Sequence, residues 1–566
     1  MYRIPETLNN DIARLGALAK EYREEKIDTA QFKTYHVPMG VYEQRTDGTY
    51  MARIRTTGGV ISPEQYLQVI DIAQRHGSDL LHITTRQEIQ IQNLSLEEIE
   101  PVMYELKDTG LSTKGGGGNT VRNMLVSEES GILGDEVFDT TTHAIDLTSK
   151  MITEADSYTL PRKLKIAFAS DDKRPDYAFI NDLGLIAKTQ NGERGFKVYV
   201  GGGGGGKPSV GWLLFDFIPE SELFIVAEAV KKMFSEHGDR ENRSKARIRH
   251  IFYRLGEEEA ICIIKKYYEE AKKTTPLYLP EKAEETGTVA YAARRKGVIV
   301  DSGYISWKKR YVTAQRQEGY DTVLVPFVWG NLRLDDERRT EAFKKLLRFV
   351  SQFGKNTIRF TTTQNVRLRY IPDEVMPELY LLIKDAGVEV DVPLLVNKMI
   401  SCTGADMCRL GVCFSKGLVA AIRKELINSS LDLDRLPVTT SIHVSGCPNS
   451  CGQQLWADIG FSGKILRSDR AYPGYQVYLA ASRNDNPRLA EPVGNMNARD
   501  IPKFVVELLA SYLKVQPEYP TLTSYLETKG KADAIGLLSK YKDVPSFADD
   551  KNYYFDWGAE DIFNKK

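Results

Sequence analysis

Residues 83–111, "ITTRQEIQIQNLSLEEIEPVMYELKDTGL", return in altered form at 360–388 as "FTTTQNVRLRYIPDEVMPELYLLIKDAGV". At a constant offset of 277, Thr84, Thr85, Gln87, Lys107, Asp108 and Gly110 meet Thr361, Thr362, Gln364, Lys384, Asp385 and Gly387. Each copy alternates apolar and polar residues, as a half-buried strand does, then changes to helical spacing. A further helical pattern precedes each copy, near 62–76 and 339–353. Two β-rich α+β units of one kind are expected. A weaker echo follows each, "VRNMLVS" at 121–127 and "VNKMISC" at 396–402. The chain therefore reads as a duplicated two-domain unit with a pseudo-twofold relation between its halves. The copies differ in chemistry: Arg86 is matched by Thr363, and Cys402 by Ser127.

Working outward, 566 residues are too many for one core, and three or more domains are expected. Hydrophobic content of 42% and charged content of 27% are those of an ordinary water-soluble chain. The net charge of -1 gives no global reason to bind nucleic acid or a membrane surface, so any basic site must be local. The polar N-terminal stretch has no apolar h-region, and no run nears the roughly 20 apolar residues of a membrane span. A cytoplasmic protein with reduced thiols is expected.

Of six cysteines, Cys262 lies alone in the amphipathic "EEEAICIIKKYYEE", where a buried thiol is expected. The other five fall within fifty residues: Cys402, Cys408, Cys413, Cys447 and Cys451. Cys402-x5-Cys408 and Cys447-x3-Cys451 sit in turns rich in Gly and Pro, and four thiolates from two loops can hold a [4Fe–4S] cluster. Zinc is the rival, but structural zinc favours C-x2–4-C knuckles on both sides. Cys413 is left as a structural thiol.

The motifs "CTGADMC", "SGCPNSCGQQLWADIG", "HITTRQEIQIQ", "LPRKLKIAFAS", and "YVGGGGGG" followed by "VAEAVKKMFSEHGDRENRSKARIRH" resemble, in order, those of the sirohaem-dependent sulfite and nitrite reductases. They cover residues from about 35 to 510. The resemblance implies an internally duplicated α+β fold. It has two ferredoxin-like (parachute) half-domains and two α/β domains binding sirohaem and cluster, related by pseudo-twofold symmetry. The expected divisions are 1–115, a half-domain with an N-terminal arm; 116–275, the first sirohaem-binding domain; 276–394, a linker and the second half-domain; 395–514, the cluster and sirohaem domain; and 515–566, a tail outside the resemblance.

It further implies one [4Fe–4S] cluster held by Cys402, Cys408, Cys447 and Cys451, coupled to one sirohaem, with Cys451 bridging to the haem iron and Asn449 at the cofactor. Sirohaem carries eight carboxylates and the substrate is an anion, so a dense set of cations is required, and Arg binds carboxylates bidentately. The candidates are Arg53 and Arg55 in "YMARIRTTGG", Arg86, Arg122 in "NTVRN", and Arg162, Lys163 and Lys165 in "LPRKLK". Taken alone, Lys163/Lys165 and Arg53/Arg55 read as solvated strand faces, each pair pointing one way. The resemblance makes Arg86, Arg122, Lys163 and Lys165 the catalytic set. In that set the lysines deliver protons and the arginines anchor the anion. Arg53, Arg55, Arg86 and Arg122 also meet the cofactor.

His443 is expected as a packed strand residue. The hexaglycine Gly201–Gly206 is either a flexible linker or a backbone surface for a flat macrocycle. Ala480 and Ala481 stand where the family usually has paired glycines.

Lys165 favours sulfite reduction to sulfide, and the cysteine-loop wording favours nitrite reduction to ammonia; the residue at the substrate is given more weight, so sulfite is the first expectation. No nucleotide-binding glycine motif opens a helix after a strand, so electrons are expected from ferredoxin or a separate flavoprotein. A non-catalytic iron–sulfur electron-transfer subunit and a zinc-stabilised anion-binding protein are the rivals of other classes.

Overall fold

The computed structural model describes residues 2–175, 177–280, 301–484 and 486–564. Part of the linker expected within 276–394 lies outside them. The chain forms two compact units. The first comprises Met1–Gly203, Ser209–Val325 and Gly330–Val388; the second comprises Gly204–Pro208, Pro326–Trp329 and Glu389–Lys566.

The first unit contains both copies of the repeat, and their sheets exchange edges. One sheet runs Val41–Glu43, Tyr50–Ile54, Ile89–Leu94 and Leu80–Ile83, and is closed by Asn331–Arg333 from the second copy. The other runs Val312–Ala314, Tyr320–Val325, Val366–Pro372 and Ile358–Phe360, and is closed by Val60–Ile61 from the first. This exchange joins the two half-domains, because each sheet is completed by a strand of the other copy.

The Thr-Thr-x-Gln stretches are the corners of these sheets. Gln87 and Gln364 both take left-handed backbone, with φ of 58° and 64°. Gln87 Nε2 donates to Phe360 O at 3.0 Å, and Gln364 Nε2 donates to Ile83 O at 3.3 Å. Phe360 and Ile83 are themselves equivalent in the repeat, so the bonds are reciprocal. Behind the sheets, helix Pro63–Arg75 starts with a capping box made by Ser62 and Gln65, and helix Glu337–Val350 is capped by Asp336. Tyr66 stands edge-on to Phe343 and Phe360, with ring centroids 5.5 and 5.2 Å away, joining the copies through apolar packing.

Each unit also carries a mixed sheet of one topology. In the first, Ile166–Ala169 pairs in parallel with Leu183–Gln190, followed by antiparallel Glu193–Val200 and Trp212–Pro219, and Leu125 bridges in parallel to Ala167. In the second, Ile400–Ser401, Ile442–Ser445 and Ile459–Arg467 pair in parallel, followed by antiparallel Ala471–Leu479 and Glu491–Asn497. The echo between 121–127 and 396–402 thus has a structural counterpart, since Leu125 and Ile400 occupy one position. No helix among the described residues is long and apolar enough to cross a membrane.

One expectation needs correction. Cys262 is exposed. Its helix, Glu257–Ala271, buries Ala260, Ile264, Tyr268 and Ala271, which leaves position 262 on the outer face. The residues after 514 pack onto the second unit. Helices Leu522–Leu526 and Lys529–Lys540 bury Leu522, Tyr525, Leu526 and Ala534 in the core of the second unit.

The exchanged corners yield a paired prediction. Gly59 and Gly330 are left-handed, with φ of 72° each, and a Cβ on either would run into the carbonyl oxygen of Phe360 or Ile83 respectively. Gly59→Ala and Gly330→Ala should each destabilise the first unit by roughly 2–4 kcal/mol, seen as comparable falls in the urea or thermal midpoint.

Candidate functional site

In the first unit a basic patch is built around the stretch Val121–Asn123. Val121 bridges to Leu164, and Arg122 N donates to Leu164 O at 2.9 Å, which places Arg122 beside the strand of Lys163 and Lys165. Leu164 and Ile166 are buried while Lys163 and Lys165 are half-buried, the expected alternation. Arg55 Nη2 donates to Val121 O at 2.9 Å, and Arg86 Nη2 donates to Asn123 O. Arg53 and Arg122 both donate to Gly116 O, in the glycine loop that covers them. Arg86 sits on the Thr-Thr-Arg-Gln corner, and its Nη1 donates to Asn181 Oδ1 at 3.0 Å. The patch therefore gathers Arg53, Arg55, Arg86, Arg122, Lys163 and Lys165.

The patch is short of negative charge. Arg53 Nε lies 3.9 Å from the Glu88 carboxylate, and Asp182 is already held by Arg247 at 2.8 Å. Burial pushes Arg86 down to about 9, with Arg122 and Arg247 repelling it, and burial pushes Arg122 down as well. Burial and neighbouring arginines push Arg162 and Arg249 each down to about 10. A guanidinium stays charged near neutrality, so these shifts express chiefly the cost of burying positive charge, which Glu88 and Asp182 offset in part at Arg86.

Buried nitrogens complete the picture. Arg55 Nε and Nη1, Arg86 Nε and Arg122 Nε find no hydrogen-bond partner among the described residues. Orphaned guanidinium nitrogens in a cationic patch fit a polyanionic ligand such as a carboxylate-rich macrocycle and a small oxyanion. Arg55 is wholly covered, at 0% exposure, so a ligand reaches it only where the 114–121 loop yields.

Arg247 and Arg249 were not singled out from the sequence. They lie two apart in "ARIRH", the same spacing as Arg53/Arg55 and Lys163/Lys165. That repeated spacing was the available signal. They border the hexaglycine: a Cβ on Gly203 would come 2.9 Å from Arg249 Nη1 and 3.1 Å from Arg247 Nη2. Gly203 and Ser209 exchange backbone hydrogen bonds of 2.8 and 2.9 Å, so this segment is a closed loop rather than a slack linker.

In the second unit the cysteines follow two neighbouring parallel strands. Cys402 ends Ile400–Ser401, and Cys408 follows the helical turn Gly404–Met407; Cys447 and Cys451 follow Ile442–Ser445. Cys402 Sγ accepts from Gly446 N at 3.1 Å and lies 3.3 Å from Ser415 Oγ. Ser450 takes left-handed backbone, with φ of 58°, in the turn that spaces Cys447 from Cys451. Burial and neighbouring Cys451 push the Cys402 thiol up to about 11. Burial likewise raises Cys447, with Cys451 and Cys408 adding to it against the Asn449 backbone N–H. Cys451 thus neighbours both Cys402 and Cys447, and Cys408 neighbours Cys447. Thiols raised in this way ionise on a bound cation, releasing protons.

A single zinc ion needs its sulfurs about 3.8 Å apart, given Zn–S near 2.3 Å and tetrahedral geometry. Among the described residues no three Cys, His, Asp or Glu side chains come close enough to share one ion. A cubane takes four thiolates, one to each iron. Cys413 stands apart, buried with Sγ 3.6 Å from both Lys464 O and Gly474 O. His443 is a packed strand residue: its Nδ1 is 3.1 Å from Gln453 O, and burial pushes it down to about 3. Ala480 is left-handed, with φ of 64°, which accounts for the glycine usual there.

Replacing Cys402, Cys408, Cys447 or Cys451 by Ser should each abolish retained iron and acid-labile sulfide. Cys413→Ala should keep both while losing about 1 kcal/mol of stability. Iron and sulfide analysis of anaerobically purified protein checks this.

Comparison with known proteins gives the family of the chain. Residues 117–272 match the family described as nitrite and sulphite reductase 4Fe-4S domain, and 42–109 and 314–386 match the nitrite/sulfite reductase ferredoxin-like half domain. Arg122, Lys163 and Lys165 lie in the matched 117–272 and Arg53, Arg55 and Arg86 in the matched 42–109; the cysteine loops lie outside the matched residues, in the structural counterpart of 117–272. The ferredoxin–nitrite reductase of Synechococcus elongatus is 29% identical over 82% of this chain and 86% of its own length. The assimilatory ferredoxin-dependent nitrite reductase of Haloferax mediterranei is 24% identical over 92% and 90%. The structure of the Mycobacterium tuberculosis NirA protein superposes with a TM-score of 0.74 at 22% identity, over 94% of this chain and 98% of that one, which shows a common fold. The repeated half-domains, the cation patch and the paired cysteine loops place the chain as an oxidoreductase of the sirohaem- and [4Fe–4S]-dependent nitrite and sulfite reductase family.

Proposed function

We propose that this chain reduces nitrite to ammonia, with ferredoxin as its electron donor. The observation that carries this reading is the likeness, along about four-fifths of the chain, to ferredoxin–nitrite reductases from a cyanobacterium and a plant. It reverses the weight given above to Lys165, which favoured sulfite. A single cation acts on the barrier of either anion, whereas the likeness extends over about four-fifths of the chain. The overall change takes six electrons and eight protons per nitrite and yields ammonium and two waters.

When bound, a sirohaem and a [4Fe–4S] cluster would supply one-electron redox chemistry at this site. The remaining work falls to side chains. Arg86 and Arg122 anchor the anion through guanidinium N–H groups and offset its charge. Lys163 and Lys165 share one face of an extended segment and deliver protons, which Lys can surrender and Arg cannot. Arg53 and Arg55 hold cofactor carboxylates beneath the glycine loop. Cys402, Cys408, Cys447 and Cys451 would hold the cluster, with Cys451 and Asn449 on the side of the sirohaem. Intact cations at these positions count against a purely electron-transferring role.

Sulfite is the second reading, favoured by Lys165. Turnover with a reduced viologen dye, comparing kcat/KM for nitrite and sulfite, separates the two. Nitrite should be preferred by about tenfold or more, the ratio that about 1.4 kcal/mol of differential transition-state binding gives. Lys165→Asn should lower sulfite turnover more than nitrite turnover, and Lys163→Ala with Lys165→Ala should cost roughly 100-fold or more on either. A wild-type preference for sulfite overturns the proposal.

A further inference from the structure

The segment that closes the second unit, "KNYYFDWGAEDIF" at 551–563, reaches the cysteine loops with one side chain. Helix Ser415–Asn428 begins just after Cys413, and Phe414 stands at its N-cap. Phenylalanine has no oxygen with which to cap a helix, so the start of the helix needs acceptors from elsewhere. Phe414 N donates to Asp556 Oδ2 at 2.8 Å, 142 residues away in sequence.

Phe414 lies between two residues that tie the cysteine loops together. On one side, Cys413 N and Val412 N donate to Gly446 O at 2.9 and 3.0 Å, and Cys413 O accepts from Ala405 N at 2.9 Å. On the other, Ser415 Oγ donates to Cys402 O at 2.9 Å and lies 3.3 Å from Cys402 Sγ. Asp556 therefore grips the backbone at the knot joining the Cys402–Cys408 loop to the Cys447–Cys451 loop.

Asp556 also meets the Cys413 thiol, and its other anchors lie within the closing segment. It is 2% exposed, and its Oδ1 accepts from Trp557 N at 2.8 Å. Trp557 Nε1 donates to Ala498 O at 2.8 Å, and the Arg499 guanidinium stacks 4.3 Å from the Trp557 ring. Arg499 Nε donates to Asn552 O at 2.6 Å. A Cβ on Gly417 would collide with the Trp557 carbonyl, so the glycine admits the closing segment at this point. Tyr553 OH donates to Asp500 at 3.2 Å, and Tyr554 OH donates to Pro545 O at 3.0 Å.

We propose that Asp556 is a positioning residue for the [4Fe–4S] cluster: by holding Phe414 it locks both cysteine loops into one cradle and keeps that cradle shut on the cluster. This rests on the reading that Cys402, Cys408, Cys447 and Cys451 are the ligands. Cluster loss to air then proceeds through local opening of the knot.

The test uses anaerobically purified holoprotein as wild type, Asp556→Ala, Asp556→Asn and Tyr553→Phe. Iron and labile sulfide are measured, then the decay of cluster absorbance on exposure to air, with far-UV circular dichroism as a check of folding. Asp556→Ala should lose its cluster about fivefold faster, the change that one buried hydrogen bond brings to an opening equilibrium. Asp556→Asn should fall between it and wild type. Tyr553→Phe, which loosens the same segment away from Phe414, should match wild type. The proposal is overturned if Asp556→Ala decays at the wild-type rate, or if Tyr553→Phe speeds decay equally. Should Asp556→Ala fail to fold, Asp556→Asn decides alone, with faster decay in support and an unchanged rate against. A wild type without iron and sulfide overturns the ligand reading itself, and this inference with it.

Discussion

Gln87 and Gln364 each turn a left-handed corner and each donate an amide hydrogen to the other copy of the repeat. Gln87 Nε2 also donates to Val126 O at 2.8 Å, so this amide ties its corner both to its own half and to the other copy. The constraint forces the sheets to interlock, and with them the edge strands Val60–Ile61 and Asn331–Arg333. It also fixes Arg86, because the residue before Gln87 has no freedom left to move. A patch of cations that repel one another needs a rigid frame, and the reciprocal glutamines supply it.

The duplicated frame has been loaded unevenly. Strand registers pair Ile54 with Ile89 and Val325 with Val366, so Arg53 and Arg55 correspond to Leu324 and Pro326. Arg86 corresponds to Thr363, and Cys402 to Ser127. Aligning Ala167 with His443 through their bridges to Leu125 and Ile400 sets Cys447 against Asp171. One copy has kept the cations and the other the thiols. Concentrating like charges in one place is costly without a counter-ion, and the depressed Arg86, Arg162 and Arg249 carry that cost. A bound polyanion relieves it, so cofactor occupancy and stability are linked in such a patch. The cysteine loops show the converse: raised thiols await a cation.

Much of this was readable in one dimension. A constant offset between two stretches requires two alike units, whatever their contacts. The alternation of Lys163, Leu164, Lys165 and Ile166 sets opposite faces because successive side chains in extended backbone diverge. The spacing of cysteines in glycine-rich turns limits what they can hold. These features are local, and local geometry is written in neighbouring residues.

Other features needed the folded chain. Periodicity marked Cys262 as part of an amphipathic helix but not which face met the core. The repeat marked two alike units, but the exchange of edge strands pairs Leu80–Ile83 with Asn331–Arg333, and nothing in either strand names the other. Arg247 joins the basic patch through Asp182, and Asp556 reaches Phe414 across 142 residues. The sequence by itself determined the duplication, the cation and thiol inventories and the local conformation around them. Only the tertiary structure decided which distant groups share a hydrogen bond or a charge, because such pairings depend on chain closure and on burial, which neighbouring residues do not encode.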